Sequence, residues 1–351
     1  MDKAVVLAEG VFSSTYGKTA HGLVRYSSRY EVVAVIDSQL AGRDAGEYLE
    51  GKKKGIPIVS TLKEALVYEP KYLVIGAATD GGFLPKEYRE FVKEAINSGL
   101  GIVNGLHEFI SEDLELSKIA SNRGAEIIDI RKIYRDRKFP FTGEIENVKS
   151  FKIAVLGTDS AIGKRTTSIM LWRELEKRGR RAIMIGTGQT SWMQGFEYGT
   201  VLDATINDFV AGAIEHEVVR AWNDQKPEFI LLEGQGSVVH PAYPGSFEII
   251  AAGRPDAIIL QDAPGRKFLD GFEKYPMPDV GKVISILELL SGKRVVALTL
   301  NTENLNATEI DHIKKDYESR YGIPVIDPLK EIGKLAEVVD RIEGSQKIRV
   351  H

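Results

Sequence analysis

The chain has no cysteine at any of its 351 positions. That absence excludes disulfide bonds, thiolate metal ligands and a covalent cysteine nucleophile, and it fits a reducing compartment. Long apolar runs are missing as well, since none approaches the ~18 residues of a membrane span. The start, MDKAVVLAEG, passes straight into a strand pattern without a signal peptide's apolar core and cleavage site. We therefore expect a cytoplasmic protein with no membrane partner. Charge of one sign does not dominate either: the net charge is -4, so no global basic field exists to recruit nucleic acid. Short-period repeats and low-complexity tracts are absent. What remains is an ordinary globular composition, 43% hydrophobic and 27% charged, in a chain long enough for two domains with separate cores.

From Ala4 onward, short apolar runs alternate with amphipathic stretches, the pattern of α/β architecture with largely parallel sheets. Strands are expected at Ala4 to Ala8, Glu31 to Ile36, Tyr72 to Ala77, Gly101 to Val103 and Glu126 to Ile130. Helical spacing marks Thr19 to Ser28, Lys63 to Tyr68, Lys86 to Ser98 and Glu112 to Arg123. The segment RDRKFPFTGEIENVK breaks the rhythm with charge, proline and glycine, and reads as a linker. The expected organisation is a Rossmann-like domain over residues 1–135, a linker over 136–150 and a P-loop NTPase-like domain over 151–351. Strands of the second domain are expected at Ile153 to Leu156, Ala182 to Ile185, Phe229 to Leu232, Ala257 to Leu260, Arg294 to Leu300 and Pro324 to Ile326. Its helices are Arg165 to Arg178, Thr205 to Asn223, Lys282 to Leu290 and Glu309 to Tyr321.

The P-loop assignment rests on GTDSAIGKRTT, which runs from Gly157 to Thr167 between an apolar strand and a helical run. Such a loop aims backbone N–H groups, a helix N-terminus and the Lys164 ammonium at one point, which is a phosphate site. Gly157, Thr158, Asp159, Ser160, Gly163, Lys164, Arg165 and Thr166 are the candidate contacts. The usual loop has four residues between its first glycine and Gly-Lys, whereas Thr158 to Ile162 makes five here. The hydroxyl residue that normally follows lysine and binds Mg²⁺ is replaced by Arg165. Either Thr166 has taken over the metal, or the loop holds a phosphorylated cofactor without Mg²⁺ in the usual place. An echo near residue 10, with Gly17-Lys18-Thr19 opening a helix, is spaced too widely for the usual loop and reads equally well as a plain strand-to-helix connection. Asp37 closes the second strand where a ribose-binding acid would sit, but no GxGxxG precedes it and a turn role is commoner.

Other candidate groups follow strands of the second half, at the sheet edge where open α/β folds bind ligands. Glu233 ends its strand before GQGS and is a candidate metal ligand or proton acceptor. His240 follows on a proline-restricted loop as a candidate base or a plain hydrogen-bonding group. Ser237 lacks a nucleophile elbow and ranks low. GTGQTSWMQG, with Gln189 and Thr190, reads as a polar recognition loop, and Trp192 is better placed in a core than on a base. Asp203 and Asp208 flank the start of the longest expected helix, where acids usually serve the dipole, and Asp208 and Glu215 lie seven apart on one face. QDAPGRKFLDG supplies Asp262, Arg266 and Lys267, with arginine suited to reading a carboxylate. Asn301, in LNTEN, is a purine-edge candidate.

The loop from Gly157 to Lys164 resembles that of dethiobiotin synthetase and its P-loop relatives. The longer order NGLHEF, GTDSAIGKRTT, GTGQTSWMQG, DFVAGAIE, EGQGSVVHPAYPG and APGR resembles a two-domain family of unknown function. That family has a Rossmann-like N-terminal half and a P-loop C-terminal half, and it includes D-glutamate N-acetyltransferase. The resemblance implies acetyl transfer from acetyl-CoA to the amino group of a D-amino acid such as D-glutamate. Phosphates of coenzyme A would occupy the loop, Glu233 or His240 would be the base, and loop N–H groups or Gln235 would be the oxyanion donors. Arg266 or Arg254 would read substrate carboxylates. The alternative is an ATP- and Mg²⁺-dependent ligase or kinase in which Thr166 and Glu233 serve the metal, and a third is a non-catalytic nucleotide-binding switch. The expected partner is a small-molecule amino acid, and the sequence leaves a homo-oligomer open.

Overall fold

The computed structural model describes residues 1–349, so the last two positions of the expected 151–351 domain lie outside the described residues. Two units emerge, one formed by Met1–Arg137 with Gly188–Glu197 and Asp203–Thr205, the other by Lys138–Thr187, Tyr198–Leu202 and Ile206 onward.

The N-terminal unit alternates β1 (Asp2–Leu7), α1 (Lys18–Arg25), β2 (Tyr30–Ile36), α2 (Ala45–Glu50), β3 (Ile58–Val59), α3 (Leu62–Ala65), β4 (Tyr72–Ile75), α4 (Lys86–Asn97), β5 (Gly101–Asn104), α5 (Leu114–Arg123), β6 (Ile127–Asp129) and α6 (Ile130–Arg135). All strand pairings in its sheet are parallel, in the order β3-β2-β1-β4-β5-β6, which is the order of dinucleotide-binding Rossmann sheets. Its apolar strands pack Val5, Leu7, Ala34, Ile36, Leu73, Ile75 and Ile102 into one core. Helix starts are set by side chains that satisfy free N–H groups: Asp44, Thr61 and Asp113 each accept from the first turn of the helix they precede. Asp37 acts as a turn residue, its carboxylate accepting the N–H groups of Phe12 and Gln39, each at 3.0 Å.

The second unit carries β7 (Phe151–Gly157), α7 (Lys164–Lys177) and β8 (Ala182–Ile185). Next in the chain is α8 (Gln189–Gln194), followed by α9 (Asn207–Gln225), β9 (Phe229–Glu233), α10 (Ser246–Gly253), β10 (Ala257–Asp262), the hairpin β11 (Phe268–Leu269) and β12 (Phe272–Pro276), α11 (Val280–Ser291), β13 (Val295–Leu300), α12 (Ala307–Tyr321), β14 (Val325–Ile326) and α13 (Pro328–Arg349). The parallel sheet runs β14-β13-β10-β7-β9-β8. Both its faces are buried: Ile153, Val155, Leu231 and Ile259 enter one core, while Ala154, Leu156, Leu232 and Leu260 enter the other. This explains why these strands read as continuous apolar runs instead of alternating ones. Among the described residues no helix is long and apolar enough to cross a membrane.

Several elements differ from the sequence expectation. The GTGQTSWMQG segment holds the helix α8, and it belongs to the N-terminal unit, where Thr190 Oγ1 lies 3.1 Å from Thr19 Oγ1 and Arg29 stacks 4.0 Å from the Trp192 ring centroid. Short polar helices carry almost no periodic signal, so a glycine-flanked six-residue turn reads as loop. The helix α10 carries no amphipathic signal in the sequence, because SFEIIAAG has no distinct polar face. In the linker, buried Glu215 accepts from Thr142 N at 2.6 Å and Ile145 N at 3.2 Å, so this acid of α9 anchors the chain entering the second unit. Asp203 is paired with Arg131 at 2.6 Å in the N-terminal unit, and Asp208 is exposed in the first turn of α9.

Candidate phosphate site

Within its sheet β7 lies between β9 and β10, and the Gly157–Gly163 loop leaves its C-terminal end to enter α7. Gly163 has φ of +100°, a conformation L side chains rarely adopt, which turns the chain into the helix. The N-cap residue of α7, Gly163, has no side chain to cap the helix and no acid occupies the first turn, which suits its positive end to an anion. The Lys164 side chain is buried beside the loop, with Nζ donating to the Asp159 carbonyl at 2.5 Å. Gly234, after β9, makes room for it: a Cβ there would lie 2.9 Å from Lys164 Cδ and 2.2 Å from the Val155 carbonyl. These residues fit a phosphorylated ligand, since they combine helix-end N–H groups with a buried ammonium.

Asp159 organises the loop from inside. Its Oδ1 accepts the Ser160 N–H at 2.6 Å, and its Oδ2 accepts from Arg266 Nη1 and from Asp270 N, each at 2.9 Å. The same guanidinium donates to the carbonyls of Ser160 and Ala161 at 3.0 Å each. Ala161 has φ of +49°, so Arg266 fastens a strained turn. Arg266, expected from sequence to read a substrate carboxylate, is thus engaged by the loop. Arg254, the other expected carboxylate reader, precedes β10 at the end of the sheet opposite the loop and pairs with Glu146 at 2.8 Å.

His240 Nε2 lies 3.5 Å from Asp159 Oδ1, and Nδ1 accepts the N–H groups of Ala242 and Tyr243 at 3.1 Å each. Two donors at Nδ1 fix the neutral ring's proton on Nε2, facing Asp159. Burial pushes its pKa down, with Asp159 opposing and Lys164 reinforcing the shift. In this arrangement the imidazole has no open lone pair to receive a substrate proton, so His240 positions the loop instead of acting as a base.

Glu233, at the end of β9, is buried, with Oε1 accepting from Arg165 Nε at 2.7 Å and Oε2 from Thr187 N at 3.0 Å. The cation beside this carboxylate is therefore Arg165. Thr166 and Glu233 are the metal pair expected from sequence, and a divalent ion brought to them would meet that guanidinium, which donates to Glu233 at 2.7 Å.

The remaining candidates divide. Thr158 Oγ1 donates to Asp262 Oδ1 at 2.7 Å, while Tyr317 donates to Oδ2 at 3.1 Å. Burial raises the Asp262 pKa against these two hydrogen bonds. Gln261, a strand residue with no motif around it, is buried, and its Oε1 accepts from Thr167 and Thr299 at 2.7 Å each, linking α7 to β10 and β13. Gln235 is half-buried directly after Glu233 and Gly234. Asn301 directly follows β13 and caps its own turn, its Oδ1 accepting Glu303 N at 2.9 Å. Gln189 and Thr190 are engaged within the N-terminal unit, Gln189 Oε1 accepting from Arg131 at 3.2 Å.

Comparison with known proteins agrees with both halves. Residues 140–336 match the domain of unknown function (DUF1611_C) P-loop domain, and residues 38–133 match the domain of unknown function (DUF1611_N) Rossmann-like domain. A D-glutamate N-acetyltransferase of Tritonibacter scottomollicae is 30% identical over 286 residues, 80% of this chain and 84% of that protein. One from a Pseudoalteromonas species is 28% identical over 275 residues, 76% and 80% of the two chains. The crystal structure of a DUF1611 family protein from Anabaena variabilis ATCC 29413 superposes with a TM-score of 0.89 at 30% identity, covering 98% of this chain and 100% of that one. With its Rossmann-like and P-loop domains matched in chain order, this protein belongs to the DUF1611 family.

Proposed function

We propose that this protein is an N-acetyltransferase that moves the acetyl group of acetyl-CoA to the amino group of a D-amino acid such as D-glutamate. The observation that carries the reading is the Arg165–Glu233 pair at 2.7 Å, which puts a fixed guanidinium where a nucleotide-hydrolysing loop keeps its metal hydroxyl. The relatives named D-glutamate N-acetyltransferase supply the reaction class.

Acetyl-CoA supplies the acyl group as a thioester. The Gly157–Thr166 loop, the α7 N-terminus and Lys164 would hold its phosphates. The acceptor's ammonium must lose a proton before its nitrogen can attack. Of the two bases expected from sequence, Glu233 offers a carboxylate at the C-terminal end of β9, whereas the ring lone pair of His240 at Nδ1 already accepts two backbone N–H groups. Glu233 is accordingly the proton acceptor in this reading. Gln235 would face the negative charge developing on the acyl oxygen; as the C–N bond forms the thioester C–S bond would break, and coenzyme A would leave as its thiol.

The P-loop domain itself supports a second reading, an ATP- and Mg²⁺-dependent ligase or kinase. A thiol-release assay with acetyl-CoA over a panel of D- and L-amino acids separates the two. Release that depends on a D-amino acid is the expected result. No release with any amino acid, together with Mg²⁺-dependent ATP turnover, would overturn the acetyltransferase reading.

A further inference from the structure

We infer that Arg165 is the resident cation of the phosphate loop, so that phosphorylated ligands bind there without a divalent metal. This rests on the reading of the loop as a phosphate site and deepens it by fixing the form of the ligand, a phosphate ester or anhydride free of metal. In the usual loop a hydroxyl follows the lysine and holds Mg²⁺ together with a strand-end carboxylate. Here the residue after Lys164 carries a guanidinium, and its Nε donates to Glu233 Oε1 at 2.7 Å.

The pair is built into the site. The Glu233 side chain is 2% exposed and its other oxygen accepts Thr187 N at 3.0 Å, so the carboxylate is held on both sides. A buried carboxylate needs a counter-charge, and Arg165 provides it permanently. A divalent ion brought to the same carboxylate would meet a fixed positive charge at contact distance. Thr166 does offer a hydroxyl, but one residue further along a helix is rotated by about a quarter turn or more from the position that normally carries it. Only Nε of Arg165 is spent on Glu233, and the guanidinium has five N–H donors in total. Its other donors and Lys164 suit two oxygens of one phosphate, the bidentate geometry at which arginine excels.

The test is titration calorimetry of the full chain with coenzyme A and with ADP, each in excess MgCl₂ and in EDTA. The wild-type affinity for at least one of the two should change by less than about threefold between the media. Arg165→Thr, which returns a hydroxyl to the position, should weaken binding in EDTA by about tenfold or more, and Arg165→Lys by less, because it keeps the charge. Circular dichroism confirms that each variant is folded, and the wild-type comparison stands without them. Three results overturn the inference: chelation weakens wild-type binding by threefold or more, Arg165→Thr binds in EDTA as tightly as wild type, or neither ligand binds in either medium. Metal-free ADP binding without coenzyme A binding keeps the inference and removes the acetyl-CoA reading, so the two fail separately.

Discussion

Arg266 and Asp159 face each other at 2.9 Å, from loops that follow the neighbouring strands β10 and β7, with the carboxylate fully buried and the guanidinium 11% exposed. The pair closes the phosphate loop on itself, because the same arginine holds the Ser160 and Ala161 carbonyls. Removing it leaves a buried carboxylate with its main counter-charge gone and two carbonyls undonated. Arg266→Ala is expected to cost roughly 3 kcal/mol in stability, read from urea midpoints at constant m-value. Ligand affinity should fall as well, since Ala161 loses the contact that holds its left-handed turn.

The buried His240 ring sets a pH dependence. Burial depresses its folded pKa below the ordinary 6.5, so the neutral ring is the folded form. The unfolded chain therefore binds a proton first, and the contribution is complete above the unfolded pKa and lost as pH falls through the folded one. Thermal melts from about pH 8 to about pH 5 should show falling stability below the unfolded histidine pKa. His240→Asn, whose Oδ1 can accept the Ala242 and Tyr243 N–H groups in place of Nδ1, should flatten that slope; an unchanged slope would assign it to other groups.

Gly234 tests how the lysine is seated. A methyl group at this position would lie 2.2 Å from the Val155 carbonyl, which is backbone and cannot turn aside. Gly234→Ala should destabilise the protein by about 1–3 kcal/mol and displace Lys164 from its slot. Phosphate-ligand affinity measured by calorimetry should then drop together with the melting temperature.

Much of this was legible in the sequence where local chemistry decides the outcome. The apolar runs marked β7, β9, β10 and β13 because both faces of the sheet are buried, and the Gly-Lys spacing marked the loop. The roles of the arginines were not legible. Arg266 and Arg254 look alike as loop cations, and only the parallel pairing of β7 with β10 sends one to the phosphate loop and the other to the far end of the sheet. The Asp262–Tyr317 and Gln261–Thr167–Thr299 contacts likewise depend on which strands and helices become neighbours. The tautomer of His240 is set by two backbone N–H groups in a turn that no residue pattern announces.

Lys164 carries the central claim that the loop after β7 binds phosphate. Its ammonium is buried against the Asp159 carbonyl at 2.5 Å, close to the start of α7, whose N-cap is Gly163. The most direct measurement is calorimetric titration of coenzyme A and ADP into wild type and Lys164→Ala, with circular dichroism to confirm that the variant is folded. An affinity loss of about tenfold or more in a folded variant is the predicted result. Unchanged affinity in a folded Lys164→Ala protein would contradict the account, because the phosphates would then be held elsewhere.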